Sequence, residues 1–198
     1  MNYGELRQNL ISKGFAEESD LIEFDELGYT YDAINQALDE ISDYFPVEAE
    51  FNFDIDESDT GIMNIDMADR SGFVALAEDT PVWYEKDGEE IWRAFTEYDI
   101  KKDRVIVIKM DDYEGSFRVY YFKEPSHVSK STQTDFTFDL PLISHKLIPL
   151  LTAYYLWLDD DERKAIMYKN DFQDALSVAL QKMRKPKAKV MPSKWGDI

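Results

Sequence analysis

The spacing of apolar residues along this chain changes period twice, and those changes mark its organisation. Near the start, Leu6 and Leu10 share one helical face, Asn2 stands where an N-cap belongs and Gly14 where a closing glycine belongs, which predicts a helix over 2–14. Phe15 to Leu27 reads as an acidic linker with scattered apolar anchors at Leu21, Ile22, Phe24 and Leu27. Gly28 breaks the chain. Thr30 then suits the cap of a second helix whose face is Ile34, Leu38, Ile41 and Phe45, with Asp32 at its positive end and Pro46 to stop it.

From Val47 the period falls to two. Ala49, Phe51, Phe53 and Ile55 alternate with Glu50, Asn52, Asp54 and Asp56, the pattern of a half-buried strand. Met63, Ile65 and Met67 repeat it, and Gly72–Leu76, Val82–Tyr84, Ile91-Trp92, Arg104–Met110 and Phe117–Phe122 follow as further strands. Asp87-Gly88 is a hairpin tip, because both residues tolerate positive φ. Glu114-Gly115 is the expected turn between the last two strands. Pro125 closes a section that reads as a small antiparallel sandwich or barrel.

A polar stretch from Ser126 to Asp139 returns the chain to helical spacing. Leu147, Ile148, Leu150, Leu151, Tyr154, Tyr155 and Leu158 lead to the acidic break Asp159-Asp160-Asp161-Glu162. Ala165, Tyr168, Phe172, Ala175, Leu176, Ala179, Leu180 and Met183 then recur at steps of three and four, so the two segments read as an antiparallel helix pair. Pro141 lies near the start of the first, and Pro149 is expected to kink it. The fold class is therefore α+β. N-terminal helices (1–46) and a C-terminal connection and helix pair (127–183) form one helical bundle, an antiparallel β domain (47–126) is inserted, and an extended basic tail (184–198) ends the chain.

Composition narrows the chemistry. No cysteine is present, which removes disulfides and thiolate catalysis, and no apolar run approaches the roughly 18–20 residues of a membrane span. The N-terminal stretch lacks a signal layout, so a soluble compartment is expected. The net charge is −19, yet six bases (Lys182, Arg184, Lys185, Lys187, Lys189, Lys194) crowd the last residues with a single acid, Asp197. The body is thus strongly acidic, which serves solubility and also repels a phosphate backbone.

Candidate sites fail on detail. An EF-hand loop begun at Asp54 puts Asp59 where glycine belongs and Ile65 where glutamate belongs, so this stretch reads as an acidic turn. Asp111-Asp112 lies in no recognisable pocket, and the Asp159–Glu162 run fits a helix cap. His127 and His145 read as exposed polar residues. No phosphate loop, nucleophile elbow or zinc motif occurs, so no catalytic residue, metal or cofactor is expected. The aromatics of the β section lack interleaved bases and read as core and interface. Trp195 in the basic tail favours docking, since an exposed tryptophan seeks a pocket, with an idle tail and a nucleic-acid arm as alternatives.

In this order the elements resemble the head-to-tail connector, or adaptor, proteins of tailed bacteriophages, including the tail tubular protein A type. Tyr31-Asp-Ala-Ile-Asn-Gln-Ala-Leu-Asp-Glu-Ile41 is similar to that family's N-terminal helix. Phe117-Arg-Val-Tyr-Tyr-Phe-Lys-Glu-Pro125 resembles its closing strand, and Leu140-Pro141 its link. His145 to Leu180, with Asp171-Phe-Gln-Asp-Ala-Leu176, is similar to its closing helix pair. The resemblance implies a structural virion protein without an active site, forming a ring commonly of about twelve copies at the head–tail junction. It implies a helical part packed against sister subunits, a C-terminal segment (Lys182, Arg184, Lys185, Lys187, Lys189, Lys194, Trp195) gripping the portal, and a β domain facing the next tail component (a nozzle or tail-tube protein). DNA would pass through the lumen unread. Such a protein would be made in the host cytoplasm.

Tyr154, Tyr155, Trp157 and Leu158 put apolar surface on more faces of one helix than one partner helix covers, which makes them candidates for the subunit interface. Two other classes compete. An acidic DNA mimic that sequesters a DNA-binding enzyme should lay its charge along one face and needs no basic tail. An enzyme or small-molecule binder should show a concave pocket with perturbed titratable groups.

Overall fold

The first helix is set by its cap. Asn2 Oδ1 accepts from the Glu5 N–H at 2.7 Å while the Glu5 carboxylate accepts from the Asn2 N–H at 3.0 Å, a reciprocal pair that opens α1 (Tyr3–Ser12). The N–H groups of Tyr3 and Gly4 donate to the carbonyls of Phe136 and Thr134, both at 2.8 Å, which satisfies two more orphan donors. Glycine suits position 4, since a Cβ there would lie 3.1 Å from the Thr134 carbonyl oxygen, a tight contact that the neighbour would have to relieve by a few tenths of an ångström. The computed structural model describes residues 1–77, 80–86 and 91–184. The chain divides into two compact units, one of Met1–Ala37, Ser129–Phe136 and the chain from Leu142 on, the other of Leu38–Val128 and Thr137–Pro141.

In the helical unit, the acidic linker expected between Phe15 and Leu27 is largely a helix, α2 (Glu18–Leu27). Its carboxylates are local caps: Asp20 accepts from the Glu17 N–H at 2.9 Å, and acids in the first turn complement the helix dipole. Leu21 and Phe24, three apart, give it an inner face, with Leu21 fully buried. Gly28 ends α2 at φ +82°, and α3 (Tyr29–Ser42) starts immediately. Thr30 is therefore not a cap. No extended residue separates the helices, and Thr30 lies buried in the first turn of α3.

After a 3-10 turn at Leu142–Ser144 comes α4 (Ile148–Trp157), with Pro149 in its first turn. Proline is accommodated there because that N–H needs no helical partner, and the helix continues through it to Trp157. Asp161 caps α5 (Glu162–Arg184), its carboxylate accepting from the N–H groups of Arg163 and Lys164 at 3.1 and 3.2 Å. Ala165, Tyr168, Phe172, Leu176 and Ala179 line the buried face of α5, and Met183, in phase with them, is 56% exposed.

The other unit begins inside α3, whose Leu38 and Ile41 are buried, as is Phe45 just beyond its end. Eight strands follow among the described residues: β1 (Val47–Ile55), β2 (Ile62–Asp66), β3 (Phe73–Leu76), β4 (Val82–Lys86), β5 (Arg93–Ala94), β6 (Tyr98–Lys101), β7 (Val105–Lys109) and β8 (Gly115–Lys123). They form two antiparallel sheets. One has the order β1-β8-β4-β5, with β3 also pairing β8, and the other the order β2-β7-β6. β1 pairs β8 over its whole length, from Val47↔Lys123 to Ile55↔Gly115. The protein is thus mixed α+β with antiparallel sheets.

Three strand expectations change. β7 and β8 are not hairpin partners but belong to different sheets, linked by a 3-10 turn at Met110–Asp112, and Gly115 starts β8 instead of turning the chain. The strand after β4 is at Arg93–Ala94, not Ile91-Trp92, with Trp83↔Ala94 and Tyr84↔Arg93 in register. The hairpin tip at Asp87-Gly88 lies outside the described residues. β6, with its charged Asp99 and Lys101, was not foreseen. Ile65, Ile106 and Ile108 from one sheet join Val82, Phe117 and Val119 from the other in one buried cluster. Phe117 is its hub, with Tyr84, Phe95 and Phe53 rings at 4.7, 5.1 and 5.2 Å.

Thr137–Pro141 is tied to the β unit through Asp139. Burial raises this carboxyl's pKa, but donors from Lys123 Nζ (2.8 Å), the Ser126 hydroxyl (2.8 Å) and the Ser126 N–H together hold it below its ordinary value. His127, half-exposed as expected, meets Asp39 at 2.7 Å.

Candidate interaction surface

Of the four residues expected on a subunit interface, Trp157 is a correction. It is only 6% exposed, because its own unit closes over it. The indole N–H donates to the Phe15 carbonyl at 2.7 Å, the ring meets Phe24 edge-on at 5.8 Å, and Lys164 Nζ lies 3.6 Å from the ring centre. Tyr154 and Tyr155 are half-buried and tilted against each other at 4.8 Å, with Lys169 Nζ 4.7 Å from the Tyr154 ring. Leu158, at 42% exposure, remains open. Beside Trp157, burial raises the Tyr168 hydroxyl's pKa, and the carboxylates of Asp171 and Asp161 add to the effect.

The end of α4 opens instead on a groove of about 480 Å³ shared with α2 and α3. Ala33 and Leu156 are its buried floor, and Phe24 and Tyr155 are half-buried walls. On the rim, Leu27 and Tyr29 are 59% and 56% exposed. Four carboxylates, Glu23, Asp32, Asp159 and Asp160, also line it, all exposed, and no lysine or arginine does. The acidic run makes Phe24 and Leu27 read as linker anchors and hides α2. The three-residue step from Leu21 to Phe24, closed by Gly28, was the signal that could have found it.

His145 is buried, not exposed, because α1 and the start of α4 surround it, and its Nδ1 lies 2.7 Å from the Met1 nitrogen. The cavity beside it, about 710 Å³, has one carboxylate, Glu5, which already holds the α1 cap. In the β unit the Asp56–Gly61 turn satisfies itself: Asp59 accepts from the Asp56 N–H at 2.9 Å, and Asp111 from the Gly61 N–H at 2.7 Å. Among the described residues no three His, Asp or Glu side chains gather as metal ligands do, and no helix is long and apolar enough to cross a membrane. Of the expected docking tail, Lys182 is an exposed residue of α5 and Arg184 is its last residue. Lys185, Lys187, Lys189, Lys194 and Trp195 lie outside the described residues.

No protein-family model matches this chain, and no curated protein matches it either.

Proposed function

We propose that this protein is a structural adaptor at the head–tail junction of a tailed-phage virion, a ring of copies joined to a portal by the basic tail, with no catalytic role or cofactor. In this reading the helical unit is a bundle and the two sheets of the β unit a sandwich that meets the next tail component. The observation that carries the reading is the far end of α5. Its buried face continues in phase through Leu176 and Ala179 to Met183, where the helix outlasts its own core and leads straight into the basic tail. A methionine in phase with the buried face that its own unit leaves half uncovered, followed in sequence by a cationic segment with a tryptophan, suits a subunit that completes itself against others. The heterologous contacts of a ring supply that cover, and the acidic body suits a lumen through which DNA slides.

The DNA-mimic alternative needs an unbroken row of carboxylates. Glu48, Glu50 and Asp54 do share the outer face of β1, but Arg118 of β8 stands among them, 3.6 Å from Glu50 and donating to Asn52 at 3.0 Å. The row is interrupted by a fixed cation, which a phosphate mimic would avoid. Removing residues 184–198 and measuring capture by portal tests the adaptor reading: binding should be lost, and undiminished binding would count against it.

A further inference from the structure

The groove formed by α2, α3 and the end of α4 has an occupant within the same sequence. We infer that, before a portal is met, it receives the C-terminal tail of a second copy, with Trp195 on the apolar floor and Lys194 among the rim carboxylates. The complementarity is one of both charge and shape class. The groove offers Ala33, Leu156, Phe24 and Tyr155 inside a rim of four acids with no base. The tail from Lys185 onward offers four lysines, one acid and one tryptophan. Aromatic anchoring inside a ring of opposite charge is a usual design of a peptide-binding surface, the charge steering the encounter and the ring holding it.

Chain length favours a sister copy over the chain's own groove. Asp159 and Asp160 border the groove just before α5 begins, and α5 then runs 23 residues, carrying its end roughly 34 Å away. Returning from Arg184 to place Trp195 requires eleven residues, which span at most roughly 36–40 Å when fully extended. As a polyproline-type segment around Pro186 and Pro192 they reach roughly 34 Å. The chain's own groove is thus attainable only with the tail held almost straight, an ordering cost that docking on another copy avoids. The contact is heterologous, tail to groove, so it propagates from copy to copy and closes only as a ring.

Because the chain has no cysteine, single-cysteine full-length chains report this contact cleanly. One chain carries Asp160→Cys, a differently tagged chain carries Lys194→Cys, and the two are mixed under mild oxidation without portal. The expected result is a disulfide heterodimer on the order of tenfold above the yield of Ser177→Cys mixed with Lys194→Cys, as an effective-concentration gain requires. Adding Trp195→Ala to the Lys194→Cys chain should return the yield to that control, and raised salt should lower it. A yield no higher than the control would overturn the inference and leave the groove to some other partner. So would an intrachain bond in the doubly substituted Asp160→Cys/Lys194→Cys chain with no heterodimer in the mixture. These outcomes are separate from the adaptor reading, which is tested by portal capture after removal of residues 184–198 and by the mass of the assembly with portal.

Discussion

The β unit and the helical unit treat their aromatic rings differently. In the β unit Tyr84, Phe95, Tyr113 and Phe117 all meet one another within 4.7–6.4 Å, a closed set. Its exposed large apolar residues lie on separate segments, Tyr44 just after α3, Ile62 on β2, Val74 on β3, Ile91 ahead of β5 and Ile100 on β6. In the helical unit rings meet in pairs, Phe15 with Tyr168 and Phe24 with Trp157, while Leu27 and Tyr29 gather on one groove and Met183 stands clear at a helix end. Strand alternation sends every second side chain to a face that another sheet can cover completely. α4 is apolar around its whole circumference and none of its residues is exposed, so the open apolar surface falls on its neighbours instead. The difference teaches that the β unit spreads its exposed apolar residues over separate segments, whereas the helical unit gathers some of its own on one groove and one helix end.

The contrast breaks first where the β core is cut. Phe117→Ala should cost about 3–5 kcal/mol, because the hub of the ring cluster leaves a cavity its neighbours cannot fill. In a denaturant titration the β-unit transition should move sharply, with the helical far-UV signal much less affected. Next comes Asp139→Asn, expected to cost about 1.5–3 kcal/mol through lost charged hydrogen bonds. The sign of its pH dependence follows from a folded pKa held below the unfolded one. The contribution is present above the unfolded value near 3.8 and is lost as pH falls through the lower folded value. Wild-type stability should therefore lose this share in strong acid, and the variant should have none to lose.

In the helical unit Trp157→Phe keeps the ring contact with Phe24 but removes the N–H donated to Phe15, for about 1–2 kcal/mol. Asn2→Ala removes one half of the α1 capping box and should cost about 1 kcal/mol, read from thermal unfolding.

Much of this fold was legible in the chain. The Asn2 cap, the Ile34-Leu38-Ile41 face, the alternation of β1 and the α5 stripe all appear where local spacing places them, since each depends on neighbours a few residues away. What was missed depends on distant partners. Nothing in Arg104–Phe122 says that β7 seeks β2 while β8 seeks β1, because both strands alternate equally well. α2 was obscured by carboxylates that turned out to be its own first-turn caps. Trp157 looked like an interface residue because the carbonyl and rings that bury it come from Phe15 and Phe24, far away in sequence. The groove was invisible for the same reason, as it needs α2, α3 and α4 together.

The central claim is that the helical unit is completed by other molecules. The direct measurement is the mass of the full-length chain in solution, alone and with portal. The account predicts a closed multi-subunit ring, at the latest once portal is added. A species of 23.2 kDa under both conditions would contradict it.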